Sequence, residues 1–266
     1  MLMEVKNTFK YLLLTIKYNL KAAMEYKKSF LIQTIFMIIN DGFFLIFWSV
    51  VFNVNNGSIS NIDMKDILYL WSIPVASWGL ISFLFGGIRE LNRYIINGEL
   101  DSYFLQPKNM LLNIATSKTD FGGFGDLLYG LVIGIFASNS ILEYLEILMY
   151  VVLASIITFS TIIIVRVLAI WIGEVEQIAH IYENSLFITF STYPYEIFGG
   201  FTKFIMFTIV PAAYVVHLPI KLIGNFDLKI FLIVILATVF YFLLARTIFY
   251  KSIKKYESGN NMAMKD

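Results

Sequence analysis

The stretch IRELNRYIINGELDSYFLQPK, residues 88–108, decides how this chain is read. It is one of the few sizeable polar interruptions in a sequence that otherwise runs from one apolar block to the next. Of 266 residues, 58% are hydrophobic, 17% aromatic and only 15% charged, too few polar side chains to cover a water-soluble surface. Several blocks reach the roughly 20 residues that a helix needs to cross a hydrocarbon core of about 30 Å. Their apolar runs are continuous and lack the alternation of lipid-facing strands, which implies helices and not a barrel. The expected fold class is an all-α integral membrane protein.

Outward from that stretch, the apolar blocks predict spans at about 30–52, 67–88, 121–137, 145–171 and 228–250. The polar segment 89–120 carries Arg89, Arg93, Lys108 and Lys118, whereas 53–63 and 138–146 carry no lysine or arginine. Basic residues favour the cytoplasmic side, so 89–120 is expected inside, as are the lysine-rich N-terminus and a C-terminus bearing Arg246, Lys251, Lys254 and Lys255. The number of crossings is then even, and residues 174–227 must cross once. Either 177–197 crosses and 199–223 dips in and returns on the outer side, or 174–198 stays cytoplasmic and 199–223 crosses. Pro194, Pro211 and Pro219 interrupt helical backbone bonding and favour the first solution. The expectation is therefore six transmembrane helices within 29–256, an outer re-entrant helical hairpin with those prolines at its gate, and a flexible cytoplasmic tail at 257–266.

Before the first span, residues 1–28 place Val5, Phe9, Leu12, Ile16 and Leu20 on one helical stripe and Lys6, Lys10, Lys17 and Lys21 on the next. This is the pattern of an N-terminal amphipathic helix lying in the membrane interface. The first long apolar run starts only near Phe30 and continues for a full span, so no cleaved leader is expected.

Motifs for chemistry are sparse. The chain has no cysteine, which excludes disulfides and thiolate chemistry, and a net charge of +1 offers no general attraction to nucleic acid. His180 and His217 fall in no metal-ligand spacing and read as polar helix-surface residues. No GxxxxGK[ST] motif exists to cradle nucleotide phosphates, and no catalytic residue or metal site is predicted. Gly122, Gly123 and Gly125 read as flexible backbone at the foot of the third span, and Gly130 with Gly134 form a GxxxG helix-contact motif. Asn40 and Asp41 lie in the middle of the first span, where an ionised carboxylate must face protein or water. Arg166 reads as a residue that snorkels from the end of the fourth span. A membrane-embedded enzyme or an ion-coupled carrier using Asp41 with Arg166 or a glutamate is the alternative class, though no convergent catalytic set accompanies it.

Residues 95–107, IINGELDSYFLQP, carry a resemblance. With Ser191 to Gly224 (STYPYEIFGGFTKFIMFTIVPAAYVVHLPIKLIG) and the closing run from Arg246 through Lys255, Tyr256, Glu257, Ser258 and Gly259, they resemble the permeases of ABC-2 type transporters, the six-span ABC-2 family transporter proteins. The chain departs from that pattern at Gly199 or Gly200, where a second proline is usual, and at Gln106 and Lys108. The resemblance implies an exporter subunit that binds no cofactor itself, with ATP and Mg on a separate cytoplasmic ABC ATPase. It also implies a second permease, identical or paralogous, in the same bilayer. The loop after the second span would hold the cytoplasmic coupling helix, at Asn97, Gly98, Glu99, Leu100, Asp101 and Pro107. There Arg89, Glu90, Arg93, Glu99 and Asp101 offer a charged surface, and Ile95, Ile96, Leu100, Tyr103 and Phe104 an apolar face for a partner's groove.

Overall fold

A computed structural model describes residues 2–54, 62–191 and 193–257, and its regular structure there is all-helical. Most of the 53–63 loop, the tail from Ser258 and the side chains of residues 2–9, Val5 and Phe9 among them, lie outside the described residues. Among the described residues, four helices are long and apolar enough to cross a membrane, or five if one bent pair counts as a single span.

Helix α1 (Leu2–Glu25) leads through Tyr26 into α2 (Lys27–Val54), which buries only a narrow stripe at Phe30, Thr34, Asp41, Trp48 and Phe52. Helix α3 (Met64–Phe85) starts at a capping box, where Asp63 accepts from the Asp66 backbone and Asp66 reciprocates. It runs through Pro74 without ending, and tightens into a 3-10 stretch over Gly86–Glu90. The chain then forms three short helices, α4 (Leu91–Ile96), α5 (Asp101–Phe104) and α6 (Met110–Ala115). Asp120 caps the short apolar helix α7 (Phe121–Ala137).

Helix α8 (Ile141–Val167) begins at Ile141 and not near Leu145, because Ser140 accepts from the Glu143 backbone as its cap. After α9 (Ala169–Ile172), Gly173 turns the chain with φ +80° into α10 (Glu176–Asn184), which widens into a π-helical turn over Ser185–Thr189. Asn92 of α4 donates to Glu176, while Pro194, Tyr195 and Glu196 line one cavity with Asp66 and Leu70. The start of α10 thus lies against α4, and residues 194–196 lie near the start of α3.

Helix α11 (Gly200–Thr208) and the run formed by a π turn at Ala213–His217 and α12 (Leu218–Leu222) meet at an 84° bend. Pro211 lies in that bend and Pro219 near the start of α12, where the widened π turn before it relieves the missing backbone donor. The two limbs therefore stand close to a right angle. Lys203 and Lys221, one from each, both lie over the Tyr195 ring, at 4.3 and 5.0 Å. The bend is reached from the opposite direction by Tyr182, donating to the Ile209 carbonyl, and Tyr241, donating to that of Thr208. Asp227 then caps α13 (Leu228–Ile253).

Helices α3 and α7 pack through small residues. A Cβ on Gly130 would stand 2.5 Å from Ala76 N, and one on Gly123 2.6 Å from Ser82 Cβ. Gly125 presses on the Thr34 carbonyl of α2, so these glycines are helical contact points and not flexible backbone. Gly134 makes an ordinary contact with Ile147 and Tyr144. Replacing Gly123 by Leu is expected to cost about 1–3 kcal/mol by overpacking, read as a lower unfolding midpoint in detergent. Gly42→Leu, where a Cβ meets nothing within 4 Å, should leave the midpoint nearly unchanged; equal shifts in both variants would refute the close-packed α3–α7 seam.

Candidate functional site

Two features stand out: a turn projecting from the polar end of the bundle, and a charge network with two cavities behind it. The turn is the segment 97–109. Gly98 adopts φ +72°, a backbone conformation easy only for glycine, and reverses the chain between α4 and α5. Leu100 is fully buried, in a cluster with Ile88, Leu91, Ile95, Ile163, Val167 and Phe249. This corrects the expected apolar docking face: Ile95 and Leu100 anchor the turn to the end of α8 and α13 and are not offered outward. The apolar side chains left exposed are Phe104, at 49%, and Leu105, at 87%, a residue sequence reasoning passed over. Asn97, Glu99, Asp101 and Pro107 are all exposed around them.

Neighbouring segments brace this turn. Tyr11 of α1 donates to Asn113 at 2.6 Å, Asn19 donates to the Thr116 carbonyl, and the Lys108 ammonium lies 3.9 Å from the Tyr11 ring centroid. From the other end of the chain, the Tyr256 ring stacks on Phe104 at 5.8 Å. Burial, and then the Asp101 carboxylate, push the Tyr256 phenol up to about 12.

Behind the turn, Arg166 is only 1% exposed. Its Nε and Nη2 donate to Glu183 Oε1 at 3.0 and 2.8 Å, and its Nη1 to Glu176 Oε2 at 2.9 Å. Arg166 therefore does not snorkel. Each of its three nitrogens donates to a carboxylate of α10, so its charge is matched there and not by Asp41. Asn92 extends the network by donating to Glu174 and Glu176. Arg89 donates to Asp120 at 3.1 Å, approaches Glu183 at 4.0 Å and lies over the Trp78 ring at 4.7 Å. On the outer rim Glu90 pairs with Lys118 and with Arg93. The histidines are not alike: His180 is exposed and pairs with Glu176 at 3.0 Å, but His217 is buried, its Nε2 2.6 Å from the Phe190 carbonyl.

The network borders a cavity of about 760 Å³ lined by Glu90, Asn92, Asn97, Lys118, Asp120 and Arg166 among others. A second chamber of about 340 Å³ lies between α2, α3, α7 and α10, and Arg89 lines both. The chamber takes in Asn40 and Asp41, and also Asp126 of α7, which sequence reasoning missed. The signal was available: an aspartate inside a 17-residue apolar helix demands the same scrutiny as Asp41. Among the described residues no group of acidic, histidine or cysteine side chains could hold a metal ion. Pro194 belongs to a separate cavity with Ile62, Asp66, His217 and Lys221.

The family model described as "ABC-2 family transporter protein" matches residues 11–260. No curated protein and no solved structure matches.

The buried pair makes a sharp test of the network. Arg166→Met or Glu183→Leu alone should destabilise the protein by about 3–5 kcal/mol, because each leaves a charge buried without its partner. The double variant Arg166→Met/Glu183→Leu should recover much of that loss, read from thermal unfolding in detergent as a double-mutant cycle. Additive losses would mean the two side chains do not interact.

Proposed function

The chain belongs to the ABC-2 family of transporter proteins, and on that premise we propose that it is the permease of an exporter driven by ATP hydrolysed on a separate cytoplasmic subunit. The family match over residues 11–260 carries this reading. In it, ATP and Mg stay on the partner ATPase, and a second permease, identical or paralogous, completes the path through the bilayer.

The reading includes a topology of six crossings with both termini cytoplasmic. Residues 177–197 would be the fifth, supported by the Asn92 hydrogen bond to Glu176 just before it and by the cavity that Tyr195 and Glu196 share with Asp66 near the start of α3, Asn92 and Asp66 lying 26 residues or roughly 40 Å apart if the run between them is helical. Residues 199–223 would be a hairpin that dips in from the outer side. Support comes from Lys203 and Lys221 meeting on Tyr195, and from Gly224 N donating to Glu146 at the start of α8 after the chain has turned back. Such a hairpin, with Pro211 at its bend, Pro219 in its second limb and Pro194 just before it, is suited to line or gate an outward exit.

In the same reading the exposed turn 97–108 is the coupling element. An ATPase groove needs an apolar anchor with charges around it, and Phe104 and Leu105 flanked by Glu99, Asp101 and Lys108 fit that requirement. Buried Leu100 ties the anchor to the ends of α3, α8 and α13, so a push on the tip is delivered to helices and not absorbed by a slack loop.

The test is reconstitution. The purified chain should show no ATPase activity alone and should gain it with the ATPase subunit co-expressed with it. Leu105→Asp, or charge reversal at Glu99 and Asp101, should cut ATPase co-purification about tenfold, the loss of one interface anchor, with membrane insertion unchanged. Unaltered assembly and transport in these variants would sink the coupling assignment.

A further inference from the structure

The smaller chamber has a composition that the transport reading does not explain. Asp41 and Asp126 both line it, 6% and 3% exposed, and Asp41 Oδ2 and Asp126 Oδ1 have no hydrogen-bond partner. Among the described residues neither carboxylate makes an ion pair. The other titratable groups lining the chamber are Arg89, Glu183 and His180. Arg89 is engaged by Asp120 and by the face of Trp78, Glu183 Oε1 is taken by Arg166, and His180 is paired with Glu176. Asp41 and Asp126 are thus the two acidic groups of the chamber without an ion-pair partner, and the unpartnered donors beside them are Arg89 Nε and Trp71 Nε1. The rest of the wall mixes two amides, Asn40 and Asn184, with aromatic and apolar surface: Phe44 stacks on Trp71 with centroids 3.9 Å apart, and Trp78, Pro74 and Val75 lie beside them.

We propose that this chamber binds an organic cation, an ammonium group on an apolar body, and that such molecules are the class of cargo the permease moves. Each alternative ligand leaves part of the site unused. A neutral apolar molecule would fill the volume but leave two buried carboxylate oxygens unpaired, at a cost for each. A hard inorganic cation prefers six or more oxygen ligands, and much of this wall is ring and methyl surface. An anion would meet two buried carboxylates. An ammonium satisfies the carboxylates, and the Phe44, Trp71 and Trp78 side chains that line the same chamber are of the kind that attracts a cation. The volume of about 340 Å³ suits a body of small-molecule size.

This inference rests on the transport reading for the word cargo, but its test does not need the ATPase, so the two can fail separately. The purified chain, in nanodiscs of zwitterionic lipid at neutral pH, is titrated with radiolabelled benzyltrimethylammonium. Saturable binding is expected, and the uncharged isostere neopentylbenzene should not displace the label at equal concentration. Asp126→Asn should weaken binding at least about tenfold, the equivalent of one lost charge partner. Trp71→Leu, which leaves both carboxylates in place, should weaken it several-fold. Displacement by the neutral isostere, or unchanged affinity in both variants, would reduce the chamber to an apolar void and overturn the proposal. So would the absence of saturable binding, the outcome if the two carboxylates simply share protons.

Discussion

The buried guanidinium of Arg166 is the constraint on which the arrangement of this chain depends. A charge shut away from water is tolerated only with carboxylates in good geometry and with its remaining donors filled. Glu183 takes two of its nitrogens and Glu176 a third. Both acids belong to α10, a helix with little apolar surface of its own; residues 176–184 read EQIAHIYEN. Beyond buried Ala179 and the Tyr182 ring, what holds it against the helices around it is its acids. Through Asn92 the same cluster reaches α4, so the one cationic group ties α4, α8 and α10 together.

Elsewhere the bundle is held by a different physics. Between apolar helices in lipid there is little hydrophobic gain, so close packing of small residues has to supply the attraction. The seam of Ser72, Ala76, Gly79 and Ser82 against Gly123 and Gly130 does this for α3 and α7. The result is a bundle close-packed on one side of α3 and ionic on the other. The chamber lies beside both regions, walled by Trp71, Pro74, Val75 and Trp78 of α3 itself.

Much of this was legible in the sequence where one physical rule dominates. Apolar length gave the long helices, and the block at 121–137 coincides with α7, because hydrophobic continuity leaves few alternatives. The start of α8 was also readable, since Ser140 followed by Glu143 is the spacing of a helix cap, yet hydropathy drew the boundary later. What could not be read is which way a side chain points in a short turn. Ile95 and Leu100 look like docking residues in a loop, and only the fold-back at Gly98 and the presence of Val167 and Phe249 turn them inward. Arg166 failed for a related reason: proximity to a helix end predicts snorkelling unless distant acids, here 10 and 17 residues on, come back to claim it. Leu105 was hidden because nothing in its neighbours distinguishes it from Leu100.

Arg89 connects the two halves of the argument. It sits in the 3-10 stretch where α3 passes into the exposed turn, and its guanidinium is shared between Asp120, the cap of α7, and Glu183, the partner of Arg166. These contacts differ in strength: 3.1 Å to Asp120 is a charge-assisted hydrogen bond, and 4.0 Å to Glu183 is not. Arg89 is therefore held firmly from one side and loosely from the other. The same side chain lines both cavities, so the ion network and the two chambers share one guanidinium.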